Sequence, residues 1–510
     1  MSDKKQINIS EMIHLFIGLG IMCFGRMLPA PSMVVETSKR LISMGFPQVD
    51  GGTLITITPV GMTVVTLFIG VVYLWTTVDT MWPSFLGVLM LGMSDYAPMP
   101  MVLKQFMGNP MVVMIFFLFV FAAILVKSDL STYLARWFMT HPKVQGRPWM
   151  FTASILLATY FVAFLEQVTA CFLMLPVLFI VFKAVGFKKG DRYVTFMVTN
   201  VIIMALLSFA SDPIKAGAFY LLANLQNLAV TAPELGAVPI NLATYLVFAF
   251  TISFICIGVI LFLMRFVFRV DVSPLQNIDM NAINKDKLPP LSGAQKTIIG
   301  LFIFYAIWLL LPGIIGRTNQ LGAFLGQNAL AGTMIVTFLA CLIRINGKPV
   351  ADLQETGKCF SWRTFFLIAT AFLLGGAMSG KGTNVSIFME YMLRGHLSGM
   401  GMTMLSVTVI IFAIFITNFF NSVVAGLVLS PVLLAIANAF GFNAAPVIVC
   451  FFYVVLIAAA TPAGSPFGAI LFDQPEWISK KDAAIHAIIM SAVVVIVMIV
   501  VGVPLANVLF

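Results

Sequence analysis

The chain has 510 residues, of which 60% are hydrophobic and 10% charged, with a mean hydropathy of +1.03. Soluble domains carry about 25% charged residues, so this composition excludes a soluble globular protein and points to a polytopic membrane protein of the all-α class. The net charge of +9 does not call for nucleic acid, because the basic residues fall in short loops between apolar runs, where they act as topology signals.

In chain order, a polar start over 1–10 precedes an apolar run over 11–29, read as an uncleaved first span. Further runs lie near 57–76, 81–94, 110–136, 192–209, 241–268, 295–314, 328–345, 364–379, 444–460 and 484–508, which gives about 11 transmembrane helices. Two other apolar stretches, 150–182 and 402–438, carry polar tips near their middles. The first tip reads Glu166-Gln167-Val168-Thr169 and the second Thr417-Asn418-Phe419-Phe420-Asn421-Ser422. A single helix of about 33 residues would be about 50 Å long, too long for a hydrocarbon core of about 30 Å, and two complete spans need about 40 residues plus a turn. Each stretch is therefore predicted to be a re-entrant hairpin whose tip reaches mid-membrane depth, buried in protein or facing a water-filled cavity.

The halves repeat. Phe116 within Ile115-Phe116-Phe117-Leu118 recurs as Phe365 (365 − 116 = 249), and Pro176 within Leu175-Pro176-Val177-Leu178 recurs as Pro431 (431 − 176 = 255). Each hairpin is followed by a span that breaks at a polar loop, Ser211-Asp212-Pro213-Ile214-Lys215 in the first half and Thr461-Pro462-Ala463-Gly464-Ser465-Pro466 in the second. An odd number of crossings separates the copies, so the repeats are expected to be inverted. The division expected is a tail and first span over 1–56, a first repeat over 57–270, a polar cytoplasmic linker over 271–294 and a second repeat over 295–510. Placing Arg136, Lys143, Arg147, Lys183, Lys188, Lys189, Arg192, Arg265, Arg269, Arg344, Lys348, Lys358 and Arg363 in the cytoplasm puts the N-terminus inside and the C-terminus outside.

At the second break, Pro462 and Pro466 remove backbone donors and Gly464 adds freedom, so the helix should stop and restart. A restart offers N–H groups to an anion and a stop offers carbonyls to a cation. The competing reading is a loop at the membrane surface. Asp212 and Lys215 at the first break and Glu166 on the first tip are read as a cation ligand, a proton carrier or a counter-charge for substrate, against a structural ion pair between Asp212 and Lys215. Asn418, Asn421 and Ser422 can bind carboxylate oxygens or a small cation, against plain interhelical hydrogen bonding. Lys127 and Lys381 are read as snorkelling anchors. No metal spacing among the four histidines, nucleophilic set or phosphate loop is found.

With these landmarks the chain resembles the divalent-anion sodium symporter family. That family has in each half a hairpin with a Ser-Asn-Thr tip, a following proline, and a broken helix whose loop often reads Ala-Thr-Pro-Pro-Asn-Ala. Ala460-Thr461-Pro462-Ala463-Gly464-Ser465-Pro466 is similar to the second loop, Thr417 to Val423 falls at the second tip, and Glu166-Gln167-Val168 stands at the first. Neither Ser-Asn-Thr triplet is intact. The resemblance implies a homodimer in the cell membrane whose protomers move by an elevator mechanism, taking up dicarboxylates, citrate or sulfate with sodium or by exchange. A carboxylate at 166 would repel a dianion unless protonated, neutralised by Lys215 or paired with a cation, so sodium and proton coupling both stay open.

The expectation is thus a cation-coupled secondary transporter for a small anion, with no cofactor beyond a coupling ion such as sodium. Substrate binding is assigned to Asn418, Asn421, Ser422, Thr461, Pro462, Gly464, Ser465 and Lys215, and cation or proton handling to Glu166, Gln167, Thr169, Ser211 and Asp212. The alternatives are a cation/proton antiporter of the larger ion transporter superfamily to which the resembled family belongs and, further off, a channel or an intramembrane enzyme.

Overall fold

The computed structural model describes residues 9–24, 27–139, 146–231, 237–277, 290–316, 318–380, 382–397, 401–419, 421–462 and 464–510. Lys143, Lys381, Phe420, Ala463 and residues 278–289 of the linker read at 271–294 lie outside the described residues. The chain is an almost wholly helical membrane-protein fold. Among the described residues eight helices are long and apolar enough to cross a bilayer, or up to ten if each of two bent pairs counts as one span.

Helix α1 (Ile9–Phe24) lies against α2 (Pro59–Thr77), with His14 Nδ1 2.7 Å from the Tyr73 hydroxyl and Gly18 against Leu74. Between them is an element absent from the sequence reading, an antiparallel sheet of β1 (Ser32–Val35), β2 (Gln48–Val49) and β3 (Gly52–Thr56) in the order β1-β3-β2. Its residue pattern alternates in β3, and Ile55 with Leu41, Ile57 and Met62 forms a small core separate from the main one. Next come α3 (Trp82–Gly92), α4 (Met99–Phe106) and α5 (Pro110–Lys127). At about 16 Å, α3 is too short to be the full span read at 81–94. The run read as one span over 110–136 is two helices, because Asp129 adopts a left-handed φ of 57° and turns the chain into α6 (Leu130–Met139).

The first hairpin is α7 (Pro148–Leu165) and α8 (Gln167–Val185), joined through the extended residue Glu166. Thr152, near the start of α7, bonds the Tyr193 hydroxyl at 3.0 Å, and Phe182, near the end of α8, packs its ring on Tyr193 at 6.0 Å. Both outer ends therefore meet at one level, and the tip lies about 21 Å away along α7. The arms are longer than the 150–182 reading allowed, at 18 and 19 residues. Then follow α9 (Arg192–Ser211), which is almost entirely buried, α10 (Gly217–Thr231) and α11 (Leu242–Phe262).

After α12 (Gly293–Ile315), α13 (Gln320–Gln327) and α14 (Ala329–Leu342), the element order recurs: α15 (Trp362–Met378), amphipathic α16 (Val385–Leu397), the hairpin α17 (Met402–Thr417) and α18 (Ser422–Ala439), the broken pair α19 (Ala444–Val455) and α20 (Pro466–Phe472), and α21 (Lys480–Val497). Helix α16 begins 255 positions after α6 (385 − 130), and α18 begins 255 after α8 (422 − 167). Pro176 and Pro431 each stand nine positions into their arms (176 − 167 and 431 − 422). The matched pair Phe116 and Phe365 touch, with ring centroids 5.6 Å apart.

Basic residues knit the loops at one face. Lys127 and Lys358 both pair with Glu355, Arg363 with Asp79, Lys183 with Glu476, and Lys189 donates to the Pro475 carbonyl. Lys358 and then Lys127 hold the exposed Glu355 carboxyl below its ordinary value, so this cluster stays charged at neutral pH and loosens as the pH falls through the carboxylate range.

At the other face, the sheet grips the loop before α16. Thr58 donates from N to the Thr383 carbonyl at 3.2 Å and from Oγ1 to that of Gly382 at 2.6 Å, while Asn384 Nδ2 donates to the Thr56 carbonyl at 3.0 Å. A Cβ on Gly61 would stand 2.1 Å from the Thr383 carbonyl oxygen, a backbone atom that cannot swing aside. Gly61→Ala is therefore expected to cost about 1–3 kcal/mol and to lower the apparent melting temperature in detergent; an unchanged melting curve would show that this contact does not hold the sheet.

Candidate transport site

In the second half, hairpin tip and helix break are one interlocked unit. Helix α19 stops at Val455 after 12 residues, about 18 Å, which is shorter than a hydrocarbon core of about 30 Å and favours an interruption within the bilayer over a loop at its surface. Stopping there releases carbonyls that hydrocarbon cannot satisfy. Thr417 Oγ1 donates to the Val455 carbonyl and Ser465 Oγ to that of Ala458. Asn418 Oδ1 accepts from Ala460 N at 2.8 Å, the Asn418 carbonyl accepts from Thr461 Oγ1, and Ser422 N donates to the Gly464 carbonyl at 3.0 Å. Gly464 permits this approach, since a Cβ there would lie 2.8 Å from the Thr417 carbonyl oxygen.

The restart is capped from within the protein. Ser465 Oγ accepts from Gly468 N at 3.0 Å, and Asn421 Oδ1 caps α18 by accepting from Val423 N at 3.1 Å and Val424 N at 3.2 Å. The donors and carbonyls expected to be free at the break are thus partly occupied. What is left over is the Asn421 amide nitrogen and the Ser422 hydroxyl, neither of which has a hydrogen-bond partner among the described residues. Thr417, only a neighbour in the sequence reading, carries one of the main bonds of the junction; its signal was the hydroxyl at the last position of an apolar arm.

The first half uses charge instead. Glu166 occupies the position equivalent to Asn421 (421 − 166 = 255) and caps α8, its carboxylate accepting from Thr169 N. A negative group at a helix N-terminus is favoured by the dipole, typically by about 0.3–1 kcal/mol. Gln167 is buried, and its amide nitrogen has no partner among the described residues. Asp212 ends α9 with an extended backbone, and its Oδ1 accepts from Ile214 N at 2.8 Å and Lys215 N at 3.2 Å. Lys215 Nζ lies 3.4 Å from Oδ2, in a pair whose side chains are 4% and 0% exposed. That contact is ionic without hydrogen-bond alignment, so Oδ2 lacks an aligned donor among the described residues. Ser211 Oγ lies 2.7 Å from Ser253 Oγ on α11. Lys215 is committed to Asp212 rather than to Glu166.

The halves meet around these elements. Phe209 packs its ring at a tilt on Phe467, with centroids 5.4 Å apart, joining the end of α9 to α20. Gly426 on α18 lies against Leu221 of α10, and Asn224 Nδ2 donates at 3.3 Å to the Leu427 carbonyl, the acceptor orphaned four residues before Pro431. An open cleft of about 430 Å³ is lined by Phe172 of α8, Pro462 of the second break, Ile470, Asp473, Gln474 and Lys480. Of the residues assigned from sequence, only Pro462 lines it.

A family model for citrate transporters (CitMHS) matches residues 53–419. The chain belongs to the citrate transporter family. The crystal structure of the Alcanivorax borkumensis YdaH transporter is similar in fold, with a TM-score of 0.56 at 12% identity over 98% of each chain. No curated protein matches the sequence. The family and fold place this citrate transporter relative among transport proteins rather than enzymes.

The junction gives two expectations. Thr417→Val keeps the shape and removes the donor to Val455, leaving a buried carbonyl unpaired at a cost of about 1–3 kcal/mol. Gly464→Ala should cost a similar amount by forcing tip and break apart. Thermal unfolding of the purified protein checks both, and wild-type stability in the two variants would mean that tip and break are not joined as described.

Proposed function

We propose that this chain is a secondary active transporter that carries citrate or a related di- or tricarboxylate together with a cation, by alternating access around the two tips and breaks. Family membership supports the substrate class. The observation that carries the mechanism is the chemical division of the unspent groups. Gln167, Asn421 and Ser422 keep free amide and hydroxyl donors, which suit carboxylate oxygens, while Glu166 and Asp212 Oδ2 keep acceptors, which suit a cation.

Coupling follows from charge. With Lys215 held by Asp212, nothing described in the first tip neutralises Glu166, so an anion approaching it is repelled until a sodium ion or a proton is bound there. This is the physical content of the divalent-anion symporter reading; homodimer formation and elevator movement belong to the same proposal and rest on that resemblance. The basic face described above is read as cytoplasmic, which puts the start of α1 inside and Phe510, bonded to Asn443 at the start of α19, outside. The cleft at Pro462 and Lys480 then opens inward.

Counterflow of labelled citrate in proteoliposomes, with sodium and pH varied separately, tests the reading; absence of exchange under every condition would remove it. Glu166→Gln is expected to abolish or shift the pH or sodium dependence of uptake. Transport by that variant with wild-type dependence on both would take Glu166 out of the coupling role.

A further inference from the structure

Behind the first break runs a chain of hydroxyls that starts at Ser211 and continues through residues the transport reading leaves unused. Ser211 Oγ lies 2.7 Å from Ser253 Oγ, and Ser253 Oγ lies 2.6 Å from the Tyr453 hydroxyl. All three residues are fully buried. The links cross from α9 through α11 to α19, and so from the first half to the second.

The direction of the chain is set by its ends. Ser211 can donate to the Ala249 carbonyl at 3.4 Å. If Tyr453 donates to Ser253, Ser253 to Ser211, and Ser211 to Ala249, every proton has an acceptor. The reverse order leaves the Tyr453 proton with none among the described residues. Tyr453 stands two positions before Val455, whose carbonyl holds Thr417 of the second tip, and Ser211 adjoins Asp212. Tyr160, also fully buried, brings its hydroxyl beside Ser211 and Ser253 without an aligned partner. In surroundings this dry such a network has few alternative arrangements, so a shift at one end moves the other.

We propose that Ser253 and Tyr453 are positioning residues whose hydroxyls carry a change at the first helix break, around Asp212, to the second break and its hairpin tip. The proposal takes the two breaks as the transport site but does not depend on which anion is carried, so a failure of citrate exchange leaves it standing and measurable.

The test is hydrogen exchange of the purified full-length protein, read at the amides of Ser422 and Ala460, which bond across the second junction. Asp212→Asn should speed exchange at both by about threefold or more, and in a Tyr453→Phe background the same substitution should have almost no effect. An equal response in both backgrounds, or none in either, overturns the proposal. Should Asp212→Asn fail to fold, Ser253→Ala and Tyr453→Phe decide: links in series predict similar acceleration for each and no more for the pair, with Ser253→Thr restoring the wild-type rate. Additive effects, or no rescue by threonine, overturn it.

Discussion

A helix that stops inside hydrocarbon exposes carbonyls and amides that lipid cannot satisfy, and every one of them must find its partner within the protein. The second half of this chain meets that constraint with short hydroxyl and amide side chains. Thr417, Asn418 and Ser465 each take up a backbone group left over at the break, and Thr461 takes up the Asn418 carbonyl of the tip. Because two of those side chains come from the hairpin, the tip and the interrupted helix cannot separate without orphaning buried polar groups. The geometry of the junction follows from that obligation, and the Asn421 amide nitrogen and Ser422 hydroxyl are what it leaves without a partner among the described residues.

The first half answers the same constraint differently. Its tip is capped by a carboxylate and its break by a buried aspartate that also holds a lysine. Equivalent places in the repeat therefore hold a neutral amide on one side and an ionisable acid on the other. One architecture thus holds both kinds of group, with Phe209 against Phe467 and Asn224 against Leu427 joining the two halves.

Much of this was legible in the residues themselves. Hydropathy marked the membrane spans, polar tips marked the hairpins, and Pro462, Gly464 and Pro466 marked the second break. Other features were hidden for physical reasons. The sheet around Ile55 is short and sits among apolar runs, so its alternation is masked by the composition of its neighbours. The turn at Asp129 rests on one left-handed residue inside what hydropathy shows as continuous. Which carbonyl Thr417 or Asn224 would serve could not be read at all, because both bonds join positions far apart in the chain.

The paired prolines have a mechanical consequence. Each removes a rung from the ladder of its arm, and Asn224 splints the gap beneath Pro431, whereas among the described residues no side chain donates to the Phe172 carbonyl beneath Pro176, at the rim of the cleft. Flexing the second arm thus means tearing out a splint, and the first carries no such brace among the described residues. Bracing is thus distributed unevenly between two otherwise matching limbs.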